Sequence, residues 1–197
     1  MPKKLPGSQG SKADTVAVLN LSYEKNKSAA ILISHCKFSS AQTSAKTIHV
    51  FSNKLTMSIP WDLDMMNEAQ VKYKYQKTPD KNSFYYANKD MSFSLALIPV
   101  ADSVTENEML ANKDGIVDGI TSKGFKVEEY DIRKINNHTM IIVAFYSDPS
   151  GGRILNKRFY TVVNKTMIMV SFNCAADELV KRNYQIDESI NSVQIKD

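Results

Sequence analysis

The chain has 197 residues, a formal net charge of +4 and 23% charged residues. That length suits one domain of ordinary size plus a tail, with a core large enough to need neither a metal nor a disulfide staple. The positive charge comes mainly from lysines spread along the chain, with arginine only at Arg133, Arg153, Arg158 and Arg182. This argues against nucleic-acid binding, because arginine is the favoured bidentate partner of phosphates and base edges.

In chain order, residues 1–14 (MPKKLPGSQGSKAD) are Pro-, Gly-, Ser- and Lys-rich and read as a disordered leader. Within residues 24–45, Lys25 and Lys27 precede a short apolar patch, AAILIS, and a small-residue exit, FSSAQ. That order imitates a secretory signal peptide and resembles the signal ends of exported bacterial proteins. It departs from one in being internal, in being interrupted by His35 and Lys37, and in an apolar core shorter than the usual ~7–15 residues. On this likeness a periplasmic or secreted location is expected, with a cytoplasmic one as the alternative. Cys36 and Cys174 are too few for a disulfide scaffold, and either a single bridge or two separate thiols fits the sequence. No apolar run approaches the ~20 residues needed to cross a bilayer, so no transmembrane segment is expected.

Residues 1–46 are thus read as a weakly ordered leader and 47–197 as a single α+β domain. Leu55, Met57 and Ile59 alternate with polar neighbours, the pattern of a half-buried strand that Pro60 ends. Residues 61–68 (WDLDMMNE) read as a turn or short helical segment. Val71, Tyr73 and Tyr75 alternate with Lys72, Lys74 and Gln76, which reads as a second half-exposed strand. A hairpin follows, with FYY and MSFSLALIPV on either side of Asn88-Lys89-Asp90. Thr105 and Glu108 form a capping box for one helix carrying Met109, Leu110, Ile116, Val117 and Ile120, with Gly124 as its left-handed terminator. Residues 125–135 return as a more polar strand, expected near an edge.

The stretch 139–174 (TMIIVAFYS, ILNKRFYTVV, TMIMVSFNC) is an antiparallel meander. Its first strand is apolar on both faces, as expected of a central strand covered on each side. Asp177 is placed as N-cap of a closing helix whose buried face carries Leu179, Ile186, Ile190 and Val193, with Lys181 and Arg182 turned away. The expected fold class is α+β, an antiparallel sheet of about six strands covered by helices as an α/β/α sandwich.

Chemistry is sparse. His35, His49 and His138 have no partner at ligand spacing, and neither HExxH, a GxSxG elbow nor a Walker loop occurs. Asp62/Asp64, Glu106/Glu108 and Glu128/Glu129/Asp131 read as exposed faces or element ends rather than paired catalytic acids. Ser150-Gly151-Gly152-Arg153 reads as a hairpin turn rather than an anion cradle. No metal, cofactor or catalytic residue is assigned, and a non-enzymatic protein is expected. The aromatic residues Trp61, Tyr85 and Tyr86 are the partner-binding candidates, since exposed Trp and Tyr give large contact area at low entropic cost. Tyr85 and Tyr86 point to opposite faces of their strand, so at least one is expected to be exposed.

The order of elements, with LTMSIPWDL, FYYANKDMSFSLAL and KRFYTVVNKTMIMVSFNCAADE followed by an ESINSVQI helix ending, resembles the PsbP-like (Mog/PsbP) superfamily over roughly residues 47–195. The resemblance implies an antiparallel sheet between helices and a non-catalytic role in binding another protein. An adaptor or accessory module is therefore the first functional expectation. A carrier of a small apolar ligand between sheet and helix, lined by Met65, Met66, Met109, Met167 and Met169, is the second. A hydrolase with a dispersed site is the third.

Overall fold

The computed structural model describes residues 44–149 and 152–196. The signal-like stretch, Cys36 and His35, as well as Ser150 and Gly151 of the glycine turn, lie outside the described residues.

Two antiparallel sheets make up the β structure. β1 (Ala45–Val50) and β2 (Leu55–Pro60) form a hairpin from Ala45↔Pro60 to Val50↔Leu55. The two-residue strand β10 (Gln194–Ile195) closes this three-stranded sheet on the far side of β2. The larger sheet has seven strands, β3 (Asp64–Met65), β4 (Phe84–Ala87), β5 (Phe93–Asp102), β6 (Val127–Ile135), β7 (His138–Ser147), β8 (Ile154–Val163) and β9 (Thr166–Ala175). Their spatial order is β3-β4-β5-β9-β8-β7-β6. The meander read from residues 139–174 is β7-β8-β9, and the hairpin around Asn88-Lys89-Asp90 is β4-β5. β6 lies at an edge, as its polarity suggests, whereas β7 is second from that edge and β9 takes the centre. Burial of both faces requires only an interior position, which is why β7 reads like a central strand.

The alternation of side chains sorts the sheet into two faces. On the first, Phe93, Leu95 and Leu97 of β5, Phe172, Val170 and Ile168 of β9, Phe159 of β8 and Met140 and Ile142 of β7 form one core. Met57 and Ile59 of β2 and Ile186 and Ile190 of α4 (Leu179–Asn191) cover it. On the second face, Ile141, Val143, Phe145 and Tyr160 pack with Met109 of α2 (Glu106–Ala111) and Ile120 of α3 (Lys113–Thr121). A separate cluster there joins Tyr85, Ala87 and Ala96 to Val71 of α1 (Glu68–Tyr75). The helix-covered antiparallel sheet is therefore as expected, with seven strands and one cover shared between α4 and the small sheet.

β3 lies in residues read from sequence as a turn or helical segment and β10 in a stretch read as a helix ending, and three helices differ as well. Residues 71–75 belong to α1 rather than a strand. The Asn67 side chain accepts from the Gln70 amide and Gln70 reciprocates to the Asn67 amide, both at 2.9 Å. This capping box starts a helix in which Val71 and Tyr75, four residues apart, share the inner face. The helix that follows Thr105 is broken in two at Asn112, although its capping box forms as expected. Asn112 leaves the helical conformation there (φ −97°, ψ 14°) without a side-chain cap bond to α3, and a Cβ at Gly115 would lie 2.6 Å from its Oδ1. The α4 N-cap is Glu178 rather than Asp177, without a side-chain cap bond.

One charge crosses the first core. Lys157 of β8 is buried, with Nζ 2.9 Å from both Glu129 of β6 and Asp187 of α4. Burial lowers its tendency to hold a proton, but the bonds to Asp187 and Glu129 outweigh this and raise its pKa. The lysine stays charged and ties the edge strand to the covering helix.

The double burial has a direct energetic consequence. Leu97→Ala, at a fully buried position, is expected to cost about 2–5 kcal/mol in urea unfolding, whereas Val180→Ala on exposed α4 surface should stay within about 0.5 kcal/mol.

Candidate functional site

Pro60 ends β2, and the chain turns at once so that the Leu63 amide donates to the Pro60 carbonyl at 3.1 Å. Leu63 is fully buried and anchors this turn in the core. The Trp61 amide donates to the Ser44 carbonyl at 3.0 Å, which pins the backbone there. Held between proline and a buried leucine, the Trp61 indole is left 64% exposed. Of the three partner-binding candidates it alone is presented to solvent.

Asp62, next in the chain, is fixed by Arg182 of α4. Its two carboxylate oxygens accept from Nη1 at 3.1 Å and Nη2 at 2.6 Å, a bidentate pair. Arg182 is 2% exposed, donates further to Gln185 Oε1 at 2.9 Å and Glu178 Oε2 at 3.3 Å, and stacks 4.8 Å over the Phe93 ring. The hydrogen bond from Arg182 holds the Asp62 carboxyl below the usual aspartate range. On the opposite side, the β4-β5 turn is set by its own side chains. Asn88 Oδ1 accepts from the Phe93 amide and Asp90 Oδ1 from the Ser92 amide, each at 3.0 Å.

These pieces line an open depression of about 690 Å³, to which Trp61, Asp62 and Asp64, the turn residues Asn88, Lys89 and Asp90, and Glu178, Lys181 and Arg182 contribute. Its chemistry is an aromatic plate surrounded by charges of both signs, fixed on one side by a buried ion pair.

The other candidates fall elsewhere. Tyr85 and Tyr86 are 3% and 5% exposed, so the expectation that one of them faces solvent is not met. Their strand is covered on both sides: Tyr85 lies 5.2 Å from Tyr75 of α1, and Tyr86 packs in the first core. The five methionines line no common cavity. Met65 is exposed, Met66 packs with α1, and Met109, Met167 and Met169 sit in the cluster beneath α2 and α3. A cavity of about 590 Å³ does exist, but at the end of the sheet between the β1-β2, β4 and β8-β9 ends, lined by Phe51, Phe84, Val163, Ile168 and Lys81. Phe51 there has φ +51°, unusual for a bulky side chain, and its ring meets Phe84 edge-on at 5.3 Å.

Among the described residues, no group of three His, Cys, Asp or Glu side chains is placed to hold a metal. His49 Nδ1 lies 3.1 Å from Thr56 Oγ1 and His138 Nδ1 3.3 Å from Glu106 Oε1. Cys174 is buried, and burial pushes its thiol up to about 11. Arg153 of the glycine turn stacks 3.9 Å over the Tyr146 ring.

The residue missed by sequence reading is Arg182, placed there on the exposed side of its helix. The helical spacing contains the signal: Arg182 follows Leu179 by three residues and precedes Ile186 by four, so it shares their inward face.

The Asp62–Arg182 pair predicts a pH-dependent cost. Removing one partner of a buried pair costs ~3–5 kcal/mol; Asp62 is about one-third exposed and Glu178 remains, so Asp62→Asn should cost about 1–2 kcal/mol at neutral pH. Because the folded pKa is depressed, the contribution is present above the unfolded aspartate value of about 4 and is lost as pH falls through the folded one. Urea midpoints of the wild type and variant should therefore differ at pH 7 and converge in acid.

No family model matches the chain, nor does any curated protein. Among solved structures it is similar to the cyanobacterial PsbP (CyanoP) of Synechocystis sp. PCC 6803, with a TM-score of 0.55 at 8% identity, over 80% of this chain and 96% of that one. A Bacteroides thetaiotaomicron structure matches with a TM-score of 0.52 at 12% identity over 77% of this chain; the match spans about half (48%) of that protein. At such identities the likeness is one of fold. The chain has a PsbP-like fold.

Proposed function

We propose that this chain is a non-catalytic, protein-binding accessory or adaptor module of an exported bacterial system, taking its partner at the Trp61 depression. The observation that carries the reading is the exposed indole of Trp61, held on a rigid turn beside the Asp62–Arg182 pair. An aromatic anchor already fixed in place loses little conformational freedom on binding, which is what makes such residues dominate interface energies. The mixed charges of Lys89, Asp90, Glu178 and Lys181 around it fit a polar rim about an apolar anchor. The signal-like stretch in residues 24–45 supports export, and no helix among the described residues is long and apolar enough to cross a membrane. Full-length tagged protein in its native organism should capture one protein in stoichiometric amount. Trp61→Ala should lower its recovery at least tenfold without changing the melting temperature. A blank capture, or capture indifferent to Trp61→Ala, contradicts the proposal.

A second reading is carriage of a small ligand, favoured by the cavity of about 590 Å³ with Phe51, Phe84, Val163 and Ile168 in its wall. That volume falls in the range of small-molecule sites. Native mass spectrometry of gently purified full-length protein should then show a retained mass that Phe84→Ala releases; a bare protein mass counts against this reading.

A further inference from the structure

β6 is the long edge of the seven-stranded sheet: nine residues whose outer side pairs with no strand among the described residues. Long edges are places where a further strand can add, and they are ordinarily blunted by charge, by β-bulges or by being short. The bulge here lies at the start of the strand, between Val127 and Glu129, and leaves 129–135 in regular register. This one keeps Tyr130 and Ile132 each 42% exposed, side by side on the second face. The Ile132 amide donates at 2.8 Å to Asp131 Oδ1. An amide spent on a side chain is not spent on the β7 ladder, so the backbone groups of Tyr130, Ile132 and Lys134 are the ones facing outward.

The order of charges along the strand identifies what fits there. Read from residue 128 to 134, β6 is Glu-Glu-Tyr-Asp-Ile-Arg-Lys, acidic in its first half and basic in its second. Laid antiparallel against a second copy about Asp131, Tyr130 meets Ile132 and Glu129 meets Arg133, while Glu128, at the bulge between Val127 and Glu129, falls beside Lys134 at the flank. Residues of like parity pair, so each keeps its own face and the two sheets run on as one. Directly opposite pairs of these kinds are the stabilising unit of a sheet. The two copies of Asp131 meet at the axis, each with Arg133 Nε of its own chain 2.6 Å from Oδ2, so the centre holds two carboxylates and two guanidinium groups. We infer that β6 is a docking edge for a second copy of this chain, joined about a two-fold axis through Asp131 into a continuous antiparallel sheet.

The edge lies on the opposite side of the sheet from β3, which follows the Trp61 turn. A pair of chains would therefore carry its two Trp61 depressions on its outer edges, free for other partners.

Sedimentation velocity of the full-length protein over a concentration series tests the pairing, with two exposed single variants testing its register. Glu128→Lys and Lys134→Glu should each weaken the homodimer about tenfold, since each turns two attractive cross-strand pairs into two repulsive ones. Mixed together they should form a heterodimer tighter than either homodimer, because every flanking pair is then of opposite sign. Ile132→Lys should weaken association without changing the melting temperature. A monomer at all concentrations overturns the inference, and so does a dimer that all three variants leave unchanged or a mixture with no preference for the heterodimer. Slow hydrogen exchange of the outward-facing Tyr130 and Lys134 amides in a monomer would also overturn it.

Discussion

Burial of both faces of the seven-stranded sheet is the constraint on which the rest depends. β7 carries Met140 and Ile142 to one side and Ile141 and Val143 to the other, all fully buried. Such a strand cannot stand in a sheet with a wet face, so the chain must supply two covers. It does so unequally. The first face has one continuous core under α4 and the β1-β2 hairpin; the second has two separate clusters, one under α1 and one under α2 and α3. Large apolar side chains are still left exposed, Met65, Tyr73, Val180 and Tyr184 among them, and Trp61 is distinguished from these by the pinned turn that carries it and the charged residues beside it.

Two buried cations join the first cover to the sheet and its flanking turn. Lys157 reaches from β8 to Glu129 and Asp187, and Arg182 from α4 to Asp62. Buried ion pairs contribute little net stability, since desolvation offsets much of the attraction. Their value here is geometric. A methylene face would tolerate sliding of α4 over the sheet, whereas a bidentate carboxylate–guanidinium contact accepts one position. The Arg182 pair thereby fixes the turn that carries Trp61, linking core packing to the candidate recognition surface.

Much of the β structure was legible because residues 139–174 hold three apolar, β-rich runs in succession, each bounded by turn-forming residues. The PsbP-like resemblance rested on these same strands and on the β4-β5 hairpin. Short or shared patterns misled. Val71-Lys72-Tyr73-Lys74-Tyr75 fits a strand by alternation and a helix by the Val71–Tyr75 spacing, and the Asn67/Gln70 capping box decides between them. A helix that looks continuous by composition is split at Asn112, where one residue leaves the helical conformation. Trp61, Tyr85 and Tyr86 were candidates by residue type alone; the exposure of the first and the burial of the other two depend on tertiary cover that the local sequence does not encode. The ring of charges around Trp61 comes from three distant stretches, and no local pattern could assemble it.

Trp61 is the sole tryptophan in the sequence, so emission excited where tyrosine does not absorb reports on Trp61 alone in the free chain, and in a complex once the partner's own emission is subtracted. The central claim is that this indole is a rigid, solvent-facing anchor that a partner covers. Steady-state emission with acrylamide quenching, measured on the free chain and on the purified complex, tests it most directly. Red-shifted, readily quenched emission is expected from the free protein, and a blue shift with loss of quenching in the complex. Blue-shifted, unquenched emission from the free chain, or an emission unchanged by complex formation, would contradict it.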